Sequence, residues 1–257
     1  MVTDISPIQA AASFVLVAIV VGVSMWRRLG LERSVLWATV RAAVQLLAVG
    51  ALFTIIFDSR FASLWSWLWV AAMVIISGWV VTRRVSAVPG IAIIGLAAIA
   101  TTMAIVLLVV FGLQILDTEP VAVVVIAGIT IGNTMPSVVQ ATQRIADQLS
   151  EERGQVEALL SLGFGATDAT RQITADVARL ALVPQIERTK VVGIIALPGA
   201  MTGLLLAGVD PIDAVLLQLV VMLLVLGSVA VSVVVVTTAI ARRALTSDLR
   251  IADWVAR

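Results

Sequence analysis

The fold of this chain is decided by residues 214–241, which read AVLLQLVVMLLVLGSVAVSVVVVTTAIA and contain no charged side chain. A helix needs about 20 mostly apolar residues to cross a bilayer. Six other stretches meet this requirement, so the sequence predicts an all-α, polytopic membrane protein with about seven transmembrane helices. The predicted ranges are 8–26, 35–57, 64–82, 91–113, 120–139, 191–209 and 214–241.

The composition of the whole chain agrees with this prediction. Hydrophobic residues make up 61% and charged residues 13% of the chain, whereas soluble domains contain about 45–50% and about 25%. A soluble enzyme, a disordered chain and a secreted disulfide scaffold are thereby excluded. The chain has no Cys and no His, and Lys190 stands outside any P-loop motif, so we expect no catalytic or metal site. We expect a single transmembrane domain over residues 1–257, surrounded by the lipid bilayer and without a nucleic-acid partner.

The positive charges set the expected orientation in the membrane. Fifteen of the seventeen Lys and Arg residues fall in the tail or in connections on one side of the seven spans. The other two are Arg60, on the opposite side, and Arg41, inside the second span. Because cytoplasmic loops carry the excess of Lys and Arg, we expect the N-terminus outside and the C-terminus in the cytoplasm. The polar segment 140–190 is then cytoplasmic.

Few polar side chains fall within the predicted spans. Arg41 lies near the cytoplasmic end of the second span, and Gln45 is one turn deeper on the same helix face. This pair predicts a polar stripe that faces protein or water, although Arg41 can also reach the interface by extending its side chain. Gln218 is a second amide inside a span, where it either contacts a solute or joins two helices by a hydrogen bond.

The fifth and sixth spans carry helix-breaking residues. Each contains a Gly-x3-Gly pattern and a proline, which removes a backbone donor. Paired interruptions of this kind indicate a translocation path in transporters. The candidate path residues in these spans are Asn133, Thr134, Pro136, Pro198, Met201 and Thr202, and the candidate packing glycines are Gly128, Gly132, Gly199 and Gly203. The alternative is tight packing of the two helices with a kink that has no role in transport.

The segment 140–190 predicts two short amphipathic helices around a glycine turn. Ser150 is a candidate cap for the first helix, Gly163 and Gly165 are typical of its end, and Thr167–Asp168 begins the second helix. The predicted apolar faces comprise Val156, Leu159, Leu160, Ile173, Val177 and Leu180. Such an element can receive movement from a cytoplasmic partner and pass it to spans five and six. The alternative is a solvated connecting loop.

Two groups of residues resemble those of known proteins. Glu157-Ala158 with Gly163 resembles the cytoplasmic EAA loop of ABC-transporter permeases. The run from Arg41 to Gln45, together with Pro198-Gly199-x-Met201-Thr202-Gly203, resembles FetB-type permeases. These permeases are linked to iron export in bacteria and have plant relatives in aluminium tolerance.

The resemblance implies the membrane subunit of an ABC exporter in a bacterial plasma membrane, with iron or another metal as cargo. It also implies a homodimer with a separate P-loop ATPase subunit that binds ATP and magnesium, while this chain binds no cofactor and is not an enzyme. Glu157, Ala158, Gly163 and Gly165 then belong to the coupling helix that contacts the ATPase.

A secondary transporter driven by an ion gradient is the alternative function. Proton relays in membranes use a carboxylate or His, and the predicted spans contain neither. Sodium sites built from the backbone carbonyls of broken helices remain compatible with the sequence. The candidate path residues offer mainly amides, hydroxyls and a thioether, which specify no particular metal, so they do not identify the cargo.

Overall fold

The computed structural model describes residues 7–194, 196–246, 248 and 250–256, and this part of the chain is almost entirely helical. Within it, the only β-type pairings are two isolated bridges, and a 3₁₀ helix lies near the end at Asp253–Ala256. The α-helices are α1 (Pro7–Ala12), α2 (Phe14–Arg27), α3 (Glu32–Phe57), α4 (Ala62–Arg84), α5 (Ile91–Gly112), α6 (Pro120–Glu151), α7 (Arg153–Ser161), α8 (Ala166–Ala169), α9 (Arg171–Val191), α10 (Gly199–Leu206) and α11 (Pro211–Arg243).

Five of the helices in the described part of the chain are long and apolar enough to cross a membrane: α3, α4, α5, α6 and α11. They coincide with the second, third, fourth, fifth and seventh predicted spans. The expected all-α, polytopic membrane fold is therefore confirmed. The helices α6 and α11 have 32 and 33 residues, or about 50 Å at 1.5 Å per residue. Both are therefore longer than a hydrocarbon layer of about 30 Å.

The first and sixth predicted spans are not single long helices. The first is divided at Ser13 into α1 and α2, and the sixth contains only the eight-residue helix α10. Before α10 the chain makes a tight turn, in which Gly193 has φ +87° and its amide donates to the Ala196 carbonyl at 3.0 Å. Pro198 then occupies the N-cap of α10. A left-handed glycine and a proline without an amide hydrogen prevent one continuous helix over 191–209.

The helices α6 and α11 form the centre of a bundle, and α4, α5 and α9 pack around them. The bundle core contains fully buried side chains from each of these elements, including Val81, Ile99, Ile145, Val177 and Val233. The 3₁₀ helix packs against α6.

Two glycines lie where α4 and α5 pack against each other. A Cβ added at Gly95 would lie 2.8 Å from Cγ1 of Val81, and a Cβ added at Gly78 would lie 3.0 Å from Cδ1 of Leu96. Real Cβ atoms do not approach other heavy atoms this closely without movement. The missing side chains at these two glycines therefore allow α4 and α5 to pack tightly.

The predicted packing glycines do not have this role within the chain. A Cβ added at Gly132, Gly199 or Gly203 would meet no heavy atom within 4 Å, and one at Gly128 would only touch Cε of Met73 at 3.7 Å. A Gly-x3-Gly pattern makes a helix face smooth, but it does not determine whether a second helix occupies that face. The prediction that these glycines pack spans five and six against another helix therefore does not fit the fold of the single chain.

The helices α2 and α3 form a hairpin at the side of the bundle. Ser24 Oγ donates to Glu32 Oε1 at 2.7 Å and accepts from the Leu31 amide at 3.2 Å, which joins the two helices at their turn. Near the other end of α3, the ring of Phe53 packs edge-on against Trp69 of α4, with 5.9 Å between the ring centroids. Apart from this end, α3 makes little contact with the bundle.

The helix α6 continues through Pro136, although the sequence predicted an interruption of the fifth span there. Pro136 cannot donate to the carbonyl one turn earlier, but two nearby hydroxyl groups donate to other carbonyls of the helix. Thr134 Oγ1 donates to the Thr130 carbonyl at 2.8 Å, and Ser137 Oγ donates to the Asn133 carbonyl at 3.1 Å. These hydroxyls bond other carbonyls, so they do not replace the bond to the Gly132 carbonyl that Pro136 cannot make. Of the two interruptions that the sequence predicted, the one in the sixth span is therefore present and the one in the fifth span is absent.

The segment 140–190 is more helical than predicted. Because α6 extends to Glu151, Ser150 lies in its last turn and does not cap a new helix. The short helix α7 starts at Arg153 without a side-chain cap and ends before Gly163, whose φ of +87° agrees with the predicted glycine turn. The second predicted helix is divided at Thr170 into α8 and the much longer α9.

The predicted apolar faces of this segment are mostly correct. Val156, Leu160, Ile173 and Val177 are buried, and Leu159 is half-buried, whereas Leu180 is exposed. Thr167–Asp168 lies inside α8, whose N-cap is Gly165.

Candidate functional site

A cavity of about 420 Å³ lies between α6, α9, α10 and α11. Apolar side chains and the first residues of α10 form much of its wall. Five polar side chains also line it: Asn133, Gln185, Arg188, Thr189 and Gln218. Three helices that are far apart in sequence thus bring polar groups together inside an otherwise apolar protein.

Gln218 is the most unusual of these residues. Its side chain is 7% exposed, and its Oε1 has no hydrogen-bond partner among the described residues. Other buried polar groups of the bundle bond within their own helix, as when Thr130 Oγ1 donates to the Ile126 carbonyl at 2.8 Å. The hydroxyl of Ser66 is also unpartnered, but Ser66 does not line this cavity. An unpartnered buried acceptor costs about 1–3 kcal/mol, and because this oxygen has almost no accessible surface, that cost falls on the stability of the fold.

Asn133 faces the cavity from α6. Its Nδ2 donates to the Ile129 carbonyl at 2.8 Å, one turn earlier in the same helix. This bond orients the side chain and leaves the Oδ1 atom available to the cavity. Pro198 and Gly199 contribute to the wall from the start of α10. Three of the predicted path residues, Asn133, Pro198 and Gln218, are therefore brought together.

The helix α9 supplies polar side chains that the sequence analysis did not assign to the path. Gln185, Arg188 and Thr189 are spaced by three and four residues and so lie on one helix face, which lines the cavity. Arg188 has no ion-pair partner among the described residues, whereas Glu187 pairs with Lys190 at 2.8 Å. In the sequence, this polar face could have been found from the helical spacing of these three residues directly before the interrupted sixth span.

The end of α9 lies beside residues of the predicted spans. Asn133 is about 20 Å along α6 from its first residue, and Gln218 is about 10 Å along α11, at 1.5 Å per residue. The last turns of α9 meet both helices at the cavity. The last turns of α9 thus contact two of the predicted spans, although the sequence analysis assigned the whole segment up to residue 190 to the cytoplasm.

Six of the predicted path residues do not line the cavity. They are Arg41, Gln45, Thr134, Pro136, Met201 and Thr202. Arg41 and Gln45 are exposed on α3, away from the centre of the bundle. The hydroxyl of Thr134 is engaged by its own helix.

The predicted coupling residues lie together just beyond the end of α6. Glu157 in α7 pairs with Arg153 at 2.8 Å, and Ala158, Gly163 and Gly165 are exposed. The pattern of α7 thus separates a buried face from an exposed one.

Two large apolar side chains flank the glycine turn of this element. Leu162 is 76% exposed and Phe164 is 49% exposed. Neighbouring Gly163 has the left-handed backbone that reverses the chain between them. Exposed apolar groups on a polar segment are typical of a contact surface for another protein.

The chemistry of the cavity suits binding. Within the described residues there is no group of three or more His, Cys, Asp or Glu side chains that could hold a metal ion. The cavity lining supplies amide, hydroxyl and guanidinium groups, which hold a solute by hydrogen bonds and charge.

These features define a polytopic α-helical membrane protein with a cavity between its helices that five polar side chains line. Residues 7–245 match the family described as "Uncharacterised protein family (UPF0014)", and the chain belongs to this family.

Several members of the family are similar over most of the chain. The UPF0014 membrane protein STAR2 of Oryza sativa subsp. japonica is 34% identical over 234 residues, which cover 91% of this chain and 80% of the relative. The probable iron export permease protein FetB of Escherichia coli (strain K12) is 31% identical over 225 residues, with coverages of 88% and 86%. Protein ALUMINUM SENSITIVE 3 of Arabidopsis thaliana is 31% identical over 226 residues, with coverages of 88% and 82%. The resemblance to FetB-type permeases is thereby confirmed, and no solved structure matches the chain.

Proposed function

We propose that this chain is the permease subunit of an ABC exporter, active as a homodimer in a bacterial plasma membrane. A separate P-loop ATPase subunit binds ATP and magnesium and drives transport. The similarity to FetB, named as a probable iron export permease, supports a transport role and makes iron the first cargo to consider.

The observation that carries the proposal is the exposed element that follows α6. Because α6 is about 20 Å longer than the hydrocarbon layer, its end can project from the membrane and hold α7 and α8 outside. Ala158 in α7 and Leu162, the residue that follows this helix, are both exposed beside the glycine turn and Phe164. In the proposed mechanism this surface docks on the ATPase.

The helix α9 provides the connection from this surface to the cavity. It follows α8 after Thr170 and continues for 21 residues to Val191. Its first turns are buried through Ile173 and Val177, and its last turns carry Arg188 into the cavity. A displacement of α7 and α8 by the ATPase is therefore transmitted along a single helix to the polar residues of the path.

The docking surface can be tested by co-purification with the P-loop ATPase encoded nearest to this gene. We expect Leu162→Asp to abolish the complex, because the substitution places a charge in an apolar contact. The matched control is Thr118→Asp, which adds the same charge at an exposed position predicted on the other side of the membrane. Retention of the complex by Leu162→Asp, or equal loss in both variants, would contradict the assignment.

The energy source can be tested in vesicles that contain the complex. We expect cargo movement to require ATP inside the compartment that holds the ATPase, and to persist when ion gradients are collapsed. Transport that needs an ion gradient and no ATP would instead identify the secondary transporter considered above.

A further inference from the structure

We propose that a second copy of this chain packs against the exposed side of α10 and the turn before it, and that this contact covers the open side of the cavity. This inference rests on the proposed function, because it assigns the interface of the proposed homodimer. The contact is isologous, so the same surface of both copies meets at a two-fold axis.

The sixth predicted span contains no buried residue in its described part, 191–194 and 196–209. In the single chain, α10 packs against α11 and leaves its other side uncovered. The apolar side chains of Ile194, Leu197 and Leu206 are 89%, 59% and 56% exposed. A stretch of this length is close to the roughly 20–30 residues that each partner contributes to a standard protein interface.

The backbone before α10 is irregular at a depth where α11 is surrounded by membrane. Val192 and Pro198 line the cavity with Met222 and Val225, which lie about 17–21 Å from the first residue of α11. Pro198, the N-cap of α10, offers no side-chain acceptor to the first amides of this helix. Irregular backbone at membrane depth is tolerated where protein covers it or where it lines a water-filled cavity. Lipid alone therefore does not suit the exposed side of this segment, whereas a second protein chain does.

Three exposed glycines at the cavity make the surface around it smooth. Gly199 lines the cavity, and Gly203 is one turn further along the same face of α10. Gly132 is exposed in α6, directly before the cavity residue Asn133. A Cβ added at any of these glycines would meet no heavy atom of the described residues within 4 Å. In membranes, faces of small residues let two helix backbones approach closely.

The exposed face of α10 can pack against a copy of itself. Leu206 lies two turns after Gly199, on the same face as Gly199 and Gly203. This face therefore contains both a protruding side chain and a smooth surface. Across a two-fold axis, the leucine of each copy can pack over the glycines of the other copy, which is the self-complementarity that an isologous interface requires.

The cavity is incomplete in the single chain. Its wall includes the exposed residues Gly199, Ala200 and Arg188, so lipid could reach the polar lining from the side of α10. A second copy across this opening keeps lipid away from the polar groups. The cavities of the two copies then face each other and form one path between them.

Cross-linking of single cysteines tests which surfaces of two copies meet, because the chain has no native Cys. Gly203→Cys places a thiol on the proposed interface. Gly50→Cys is the matched control, because Gly50 is also an exposed glycine of an apolar helix with no described heavy atom within 4 Å of an added Cβ. A membrane-permeable maleimide first shows that both thiols react, and a short, membrane-permeable bis-maleimide is then applied to membranes.

We expect a covalent dimer for Gly203→Cys and none for Gly50→Cys. No dimer at position 203, or equal cross-linking at both positions, would overturn the proposal.

A larger side chain tests the same contact without a reagent. Gly203→Leu enters open space in the single chain, and leucine favours helix, so we expect the variant to fold. In the dimer this side chain would hold the two copies apart, and we expect about tenfold weaker dimerisation or more. Photobleaching of single complexes in liposomes at decreasing protein density measures the dimer fraction. Gly50→Leu should leave it unchanged, and an unchanged fraction in Gly203→Leu would contradict the assigned interface.

Co-purification with the ATPase separates this interface from the proposed function. A dimeric chain that binds the ATPase but does not cross-link at position 203 disproves only the interface. A chain that binds the ATPase as a monomer disproves the homodimer as well. A chain that dimerises through position 203 but binds no ATPase confirms the interface and disproves the proposed energy source.

Discussion

The hairpin α2–α3 and the bundle of α4, α5, α6, α9 and α11 differ in how much of their apolar surface packs against protein. In the most apolar stretch of α3, 6% of the residues are buried within the chain, whereas in that of α6 44% of the residues are buried. Both stretches are apolar enough to cross a membrane. Apolar character therefore identifies the helices that can enter lipid, but it does not distinguish a helix that packs from one that lies at the edge.

Small polar side chains make this distinction better. In the bundle, Thr102, Thr142 and Thr237 are buried, and each hydroxyl donates to a carbonyl of its own helix. In the described part of the hairpin, Ser24 at the turn is the one buried polar residue. Hydroxyl groups on an apolar helix are typical of faces that contact other helices. In α3, Thr39 and Thr54 also bond within their own helix, but neither is buried.

The largest expected contrast comes from removing the same side chain in both regions. Ile145 in α6 is 0% exposed and Ile55 in α3 is 70% exposed. We expect Ile145→Ala to lower the free energy of unfolding by about 2–5 kcal/mol, because it leaves a cavity in the core. Ile55→Ala should change it by less than about 0.5 kcal/mol. Denaturation of the purified variants in mixed micelles measures both, and equal losses would show that the hairpin packs as tightly as the bundle.

A second contrast adds a side chain in place of a glycine. Gly95→Leu in α5 would press against Val81, whereas Gly50 in α3 has no heavy atom within 4 Å of an added Cβ. We expect Gly95→Leu to destabilise the protein by about 1–3 kcal/mol through overpacking, and Gly50→Leu to be neutral or slightly stabilising because leucine favours helix. The midpoint of thermal unfolding in detergent distinguishes them. Tolerance of Gly95→Leu would disprove the close approach of α4 and α5.

A third contrast compares the two glutamines. Gln218→Met removes a buried acceptor that has no partner among the described residues, so we expect the free energy of unfolding without solute to rise by about 1 kcal/mol. Gln45→Met, at an exposed position of α3, should leave it nearly unchanged. The same unfolding assay, run without added solute, measures both. A loss of stability in Gln218→Met would indicate that its amide joins two helices, the alternative raised by the sequence.

The smallest expected effect is local to the hairpin. Ser24→Ala removes the acceptor of the Leu31 amide and the donor to Glu32. We expect severalfold faster hydrogen exchange at the α2–α3 turn, with unchanged exchange in α6 and α11. Ser232→Ala in α11, where the hydroxyl donates to Val229 of the same helix, serves as the control. Exchange that spreads from the turn into the bundle would show that the two regions are not independent.

The sequence predicted the long membrane helices well and the polar site less well, for one physical reason. Hydropathy measures transfer into lipid, so it locates α3 to α6 and α11 from their apolar residues alone. It assigns Gln185, Arg188 and Thr189 to a polar connecting segment, because it cannot recognise a polar face that lines a cavity between helices. Asn133 and Gln218 were identified because polar groups are conspicuous within apolar spans.

The two helix interruptions that the sequence predicted also had different outcomes. Pro198 lies at an interruption of the sixth span as predicted, and the turn between α9 and α10 also uses the left-handed conformation of Gly193, which the sequence analysis did not single out. Pro136, in contrast, lies inside the continuous helix α6, although proline removes one backbone hydrogen bond there.

The central claim is that the cavity in the bundle is an aqueous path while the hairpin faces lipid, and cysteine labelling tests it directly. The chain has no native Cys, so Asn133→Cys in the cavity and Leu47→Cys on α3, where the side chain is 76% exposed, each introduce a single thiol. A water-soluble, charged thiol reagent is applied to both variants in membranes. The account predicts rapid labelling at position 133 and no labelling at position 47. No labelling at position 133, or equal labelling at both positions, would contradict it.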